Sequence, residues 1–205
     1  MIDERLLNWR FVVPCGTQRL LFLPIDTETV PGAVVPDRSA ASLAAALRDG
    51  EYDGVVVGDV AAWARAVGGG PAHLLTRLAT SLAPGGWLYA GFPNAWFPVH
   101  PRRSGSISLR RAQRALRLAG PFELHPYFAL PNQRCPAYLI SATRRAELDY
   151  FLRHLFFPHV GSRSPRVALA KQRVLGMART PAVRLPHFVR LGCAPAIAVV
   201  ARRSA

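Results

Sequence analysis

Two short apolar runs set the frame for this chain: QRLLFLPID at residues 18–26 and EYDGVVVGD at residues 51–59. Each is bounded by turn residues and has the length of a buried strand, not a helix. Between Asp26 and Asp53 lie 26 residues. Thr27 to Pro36 reads as irregular, with Ala33-Val34-Val35 as a short extended piece. Ser39 then caps a helix over 40–48, closed by Gly50. The interval has room for one helix and little else. Helices at 60–67 and 71–83, broken by Gly68-Gly69-Gly70, follow. Pro84-Gly85-Gly86 then ends the second helix and releases a strand over Trp87–Phe92, because proline cannot continue a helix and glycine reverses the chain freely.

FPNAWFP, at 92–98, opens a structured loop. Ser108 caps a helix over 109–119 that Gly120 closes. Leu109, Ala112, Leu116 and Ala119 share its apolar face, while Arg110, Arg114 and Arg117 form a second stripe with Arg111 beside it. Phe122–Leu130 reads as a strand and 137–141 as a short extended piece. Thr143 caps a helix to about Phe156, and 165–178 form a basic helix. Residues 184–191 and 195–202 read as an antiparallel hairpin turning at Gly192. This order predicts an α/β fold: a reduced Rossmann-like sheet, mostly parallel, with a C-terminal antiparallel hairpin and helices on both faces. The 205 residues fit one domain. It divides into a shortened N-terminal half (1–59), a core (60–130), a helical insertion or lid (131–180) and the closing hairpin (181–205).

Composition excludes several classes. Half the residues are apolar, which is globular. Runs such as Ala194–Ala201 are too short to cross a bilayer, and MIDERLLNWR is not a secretory signal. No transmembrane segment and a cytoplasmic location are expected. Cys15, Cys135 and Cys193 are odd in number and far apart, as buried thiols would be. The histidines show no ligand spacing, so no metal site is expected. No Walker loop or GxSxG elbow occurs.

The net charge of +14 is unevenly placed. Residues 1–100 hold nine acids and seven arginines, a net of −2; residues 101–205 hold three acids, eighteen arginines and one lysine, a net of +16. Guanidinium forks suit carboxylate and phosphate, so the second half is matched to an anionic partner.

YDGVVV with Asp53 near its start, a helical stretch, and Leu82-Ala83-Pro84-Gly85-Gly86 directly before the next strand are similar to the second half of class I S-adenosylmethionine-dependent methyltransferases. The likeness spans roughly residues 51–130 and the closing hairpin. It implies a methyltransferase-like sheet, and S-adenosylmethionine as cofactor if the chain is active. The family's GxGxG loop after the first strand has no counterpart, since DTETVPGAVVP carries Gly32 alone. The 26 residues before Asp53 are also too few for the family's helix, acid-ending strand, helix and third strand. The cofactor half is therefore shortened and degenerate.

Asp26, Asp37 and Asp59 are the acids available to replace the family's usual ones. His100 and His125 are the candidate catalytic bases. Arg102, Arg103, Arg110, Arg111, Arg114, Arg117 and Arg134 are the candidate contacts for an anionic partner. Three readings stay open. One is a methyltransferase-like protein without methyl transfer or cofactor, serving as a binding or accessory subunit in a bacterial biosynthetic or modification pathway. Its partner would be an acidic protein, a peptide or an anionic metabolite. The second is an active S-adenosylmethionine-dependent methyltransferase on a small molecule or peptide. The third is a nucleic-acid-binding protein. A reduced sheet with an uncovered edge favours a homo- or hetero-oligomer.

Overall fold

A computed structural model describes residues 4–14, 16–26, 30–97, 105–154 and 194–204. Its centre is one six-stranded sheet in the order β1-β2-β3-β6-β4-β5. The strands are β1 (Leu20–Leu23), β2 (Tyr52–Val57), β3 (Leu82–Pro93), β4 (Phe122–Leu130), β5 (Tyr138–Ser141) and β6 (Ala196–Arg203). β1, β2 and β3 are parallel, whereas β6 runs antiparallel to both β3 and β4, and β5 runs antiparallel to β4. The helices are α1 (Ala40–Arg48), α2 (Val60–Ala66), α3 (Pro71–Thr80), α4 (Leu109–Ala119) and α5 (Arg145–His154), preceded by a 3-10 helix at Glu4–Phe11.

Strand side chains alternate between two apolar layers, as a period of two requires. Leu21, Val55, Val57, Leu88, Ala90, Ile197 and Val199 face one layer, with Leu43, Trp63, Leu75 and Leu116 of α1 to α4 packed on them. Leu20, Phe22, Val56, Trp87, Tyr89, Ala198 and Val200 face the other layer, which Trp9 of the 3-10 helix covers. Trp9 sits 6.0 Å from the Phe22 ring and 6.2 Å from the Trp87 ring. Asn8 extends that cover by donating to the Pro136 carbonyl at 2.5 Å. Each fully buried leucine or valine contributes on the order of 1.5–3 kcal/mol, so the two layers together set the register of every strand.

Local signals place several boundaries where the residues predict them. Ser39 Oγ accepts from Ser42 N and caps α1; Ser108 Oγ accepts from Arg111 N and caps α4, which ends at Gly120 with φ of 147°. The Pro84-Gly85-Gly86 stop requires a correction. α3 ends earlier, at Thr80, with Ser81 as its C-cap, and β3 already begins at Leu82. Tyr52 pairs with Leu82 while Gly54 pairs with Trp87, so the Pro-Gly-Gly segment is an outward excursion inside β3. Tyr52 N donates to Ser81 O at 2.9 Å, and Arg203 donates to the Leu82 carbonyl; both hold the strand on the near side of the excursion. α5 likewise starts at Arg145, because Thr143 pairs its hydroxyl with Ser141 at 3.1 Å.

β6 lies inside the sheet, between β3 and β4. The partner strand expected for it at 184–191 and the helix at 165–178 fall outside the described residues. Among the described residues, the outer side of β1 is covered at Val34 alone, which pairs with Leu21 as an isolated parallel bridge. Among the described residues, no helix is long and apolar enough to cross a membrane.

The excursion depends on Gly86. A Cβ there would sit 2.9 Å from Ala83 O and 3.0 Å from Tyr52 O, against backbone that has no room to yield. Gly86→Ala is expected to lower stability by about 2 kcal/mol, read as a shift of the urea midpoint. An unchanged midpoint would mean that the excursion relaxes at no cost.

Candidate functional site

Parallel strands point their C-terminal ends at one edge of the sheet, and α/β folds gather ligands there. At that edge a cavity of about 570 Å³ is lined by Asp59, Ala61, Arg65, Pro93 and residues 132–135. Asp59 follows β2, Pro93 ends β3, and Asn132 to Cys135 belong to the β4–β5 loop. The loop is shaped by Asn132, whose Oδ1 accepts from Arg134 N at 2.9 Å and Cys135 N at 3.0 Å. It lies against β3 where only glycine fits: a Cβ on Gly91 would be 3.2 Å from Gln133 O and 2.6 Å from Gly58 O.

One ion pair ties the loop to the sheet. Arg134 Nε donates to Asp59 Oδ2 at 2.6 Å. Asp59 Oδ1 meanwhile accepts from Ala62 N at 3.1 Å and so caps α2. The carboxylate is 2% exposed, while the Arg134 side chain is half-exposed. Burial of a carboxylate is tolerated here because both oxygens have donors, one of them cationic. Two residues assigned to different roles from the sequence, Asp59 to a cofactor and Arg134 to an anionic partner, are thus partners of each other.

The other candidates disperse. Asp26 is exposed and Asp37 is exposed, and neither lines the cavity. Asp37 Oδ1 accepts from Ser39 Oγ at 2.6 Å and from Ser39 N at 3.1 Å, while its own N–H donates to Ser42 Oγ. Its carboxylate closes the turn into α1. Hydrogen bonding by Ser39 holds the Asp37 pKa below its ordinary value of 3.8. His125 lies along β4 with Nε2 3.1 Å from Glu123 Oε1, both side chains at least half-exposed, and away from the cavity. His100, Arg102 and Arg103 lie outside the described residues.

Arg110, Arg111, Arg114 and Arg117 remain together on the outer face of α4. Arg110, Gln113, Arg114, Arg117 and Leu118 line a shallow groove of about 370 Å³. The Arg110 guanidinium stacks 5.6 Å from the Trp96 ring centroid. Trp96 is placed by Asn94, whose Oδ1 accepts from Trp96 N at 3.1 Å and whose Nδ2 donates to Ala194 O at 2.8 Å. FPNAWFP is therefore a structured loop that also secures the entry to β6.

The turn after β1 is where the family resemblance would put S-adenosylmethionine. The described residues there do not fit that group. The Pro24 carbonyl accepts from Trp63 Nε1 at 2.9 Å and from Arg38 Nη2 at 3.1 Å, which draws the turn onto α2. The Ile25 side chain packs on Gly58. The acid in the right order for a ribose, Asp37, has its carboxylate engaged by Ser39. Among the described residues, no three His, Cys, Asp or Glu side chains converge as metal ligands.

No family model matches the chain, and no curated protein matches it. Among solved structures it is similar to the crystal structure of the [4+2]-cyclase SpnF, at 13% identity and a TM-score of 0.42, over 92% of this chain and 75% of that one. At that level of likeness neither family nor chemistry transfers to this chain.

Two measurements probe these assignments. Arg134→Ala leaves Asp59 without its cation and unfastens the loop. It is expected to cost about 2 kcal/mol and to raise hydrogen exchange at 131–137 before the rest of the sheet opens. For Asp37 the folded pKa is the lower one. Its stabilising contribution is therefore complete above the unfolded carboxylate pKa and disappears as pH falls through the folded value. Asp37→Asn should remove that acid-sensitive component from urea midpoints followed from neutral into strongly acidic solution, leaving a flatter profile than the parent chain's.

Proposed function

We propose that this chain is a binding protein on a methyltransferase-like sheet, one that docks an acidic peptide or protein segment through α4 and does not transfer methyl groups. The observation that carries this reading is the stripe Arg110, Arg114 and Arg117. These side chains are exposed, project from one helix face, and have no carboxylate partner among the described residues. Positions separated by three and four residues lie in line along a helix. The stripe spans about 10 Å, the reach of a few residues of extended peptide.

The helix is held rigidly from behind. Leu109, Ala112, Ala115 and Leu116 are buried, and Thr76 Oγ1 of α3 donates to Ala115 O at 3.0 Å. The rigid helix fixes the spacing of the three side chains, and each guanidinium can pair a carboxylate in a forked geometry. Leu118 is exposed at the end of the groove and offers one apolar contact beside the charge. Single-stranded nucleic acid would ask for bare aromatic faces along the groove. The neighbouring aromatic, Trp96, has a face taken by Arg110. The closed turn after β1 supports the absence of methyl transfer, and an accessory role in a biosynthetic or modification pathway is part of the same proposal.

A fluorescently labelled oligoglutamate peptide is expected to bind the full chain with an affinity that falls as salt rises. The triple variant R110E/R114E/R117E should weaken it by at least about tenfold while the fold is kept, since exposed charge changes have small effects on stability. Peptide binding that ignores the triple variant would sink the assignment to α4. An oligonucleotide bound more tightly than the peptide at equal salt would move the reading to nucleic acid. Micromolar binding of S-adenosylmethionine in a calorimeter would overturn the absence of methyl transfer.

A further inference from the structure

We propose that the cavity beneath the β4–β5 loop is a second, separate binding site, which takes a small molecule by a carboxylate or phosphate group held between Arg65 and Arg134. The cavity and the α4 groove share no residue. The proposal therefore stands whether or not α4 docks a peptide.

Asp59 is the one carboxylate in the lining, and both of its oxygens already accept, from Ala62 N and Arg134 Nε. The Asn132 Oδ1 acceptor is engaged by two backbone N–H groups of its own loop. The donors are in the opposite condition. Arg134 commits Nε alone to Asp59, and Arg65 commits Nε alone to the Ala61 carbonyl at 3.3 Å. Each guanidinium carries five N–H donors, so both keep their two terminal nitrogens. A lining whose one carboxylate is engaged and whose forked donors are in surplus, with the Gln133 amide as a neutral neighbour, suits oxyanions.

Charge agrees with this. Two guanidiniums and one carboxylate leave the lining at net +1, matched to a singly charged group. Asp59 does not compete fully for Arg134, because it engages only one edge of the fork; it orients the guanidinium and lowers its entropy. The volume of about 570 Å³ is that of a metabolite site and far exceeds an inorganic ion. Its place at the C-terminal ends of β2 and β3 is where such folds collect ligands.

The test uses the full chain with isotopic nitrogen, titrated with inorganic phosphate in one series and succinate in another. Saturable shifts of the Arg65 and Arg134 Nε–Hε resonances and of the 132–135 amides are expected from at least one probe. Shifts that instead grow without saturation and fall equally on the α4 arginines overturn the site. Arg65→Gln, at an exposed position that touches neither the cap nor the ion pair, should weaken the responding probe by about fivefold. The variant R110E/R114E/R117E should leave it unchanged. An affinity untouched by Arg65→Gln in a chain that keeps its fold overturns the proposal.

Discussion

The structure depends on the insertion of β6 between β3 and β4. β3, which ends the parallel part of the sheet, and β4, which follows α4, do not pair with each other; both pair with residues 196–203 from the far end of the chain. β6 is buried on both faces, with Ile197, Val199 and Ala201 on the helical side and Ala196, Ala198 and Val200 on the other. Its small residues let both layers approach the sheet closely. Its register also aligns the end of β3 with the end of β4: Ala196 pairs with Pro93, and Ile197 pairs with Phe128. That alignment brings the loop after Leu130 over the end of β2. Asp59 and Arg134, 75 residues apart in sequence, meet for this reason.

The connection between β1 and α1 is short. Among the described residues it makes one bridge to β1, in which Phe22 N donates to Val34 O at 2.9 Å and Val34 N to Leu20 O at 2.8 Å. Those two bonds satisfy the outer edge of β1 over a single repeat. The polar groups nearby are turned inward to structural use: Pro24 O to Trp63 and Arg38, Asp37 to Ser39, Asp53 Oδ2 to Arg19 N at 2.9 Å. A nucleoside cradle needs backbone and carboxylate groups left available for a ligand. Here a short connection has drawn them into closing the fold.

Local chemistry was legible in the sequence and long-range chemistry was not. The α1 and α4 caps at Ser39 and Ser108 follow from residues three apart, and the strand YDGVVV from its valines and flanking turns. The strand at Phe122–Leu130 is likewise bounded by glycine-proline on one side and proline on the other. The start of β3 was missed because proline and two glycines look like a terminus. Only the pairing of Tyr52 with Leu82 reveals that the strand resumes across them. The central position of β6 has a weak signal in its unbroken apolar run, which suits a strand buried on both faces, but no local rule names its neighbours. Arg65 was not picked out at all. It sits in the last turn of a short helix, and its relevance appears only when the loop carrying Arg134 is folded over it.

The charge asymmetry of the sequence resolves into two arginine populations with different physical situations. On α4 the guanidiniums are solvated and project from a rigid helix, so their attraction is long in reach, salt-sensitive and weak per contact. Arg134 is half-exposed but tied to a buried carboxylate, so one edge of its guanidinium is fixed at the mouth of the cavity. The first arrangement suits capture of an extended acidic surface; the second suits discrimination of one group on one small molecule. Asp59 is doubly engaged, and His125 stands with Glu123 elsewhere on β4. Among the described residues, Asp37 and Asp59 serve as struts while Arg134 keeps donors available, and their placement follows from the short connection after β1 and the central course of β6.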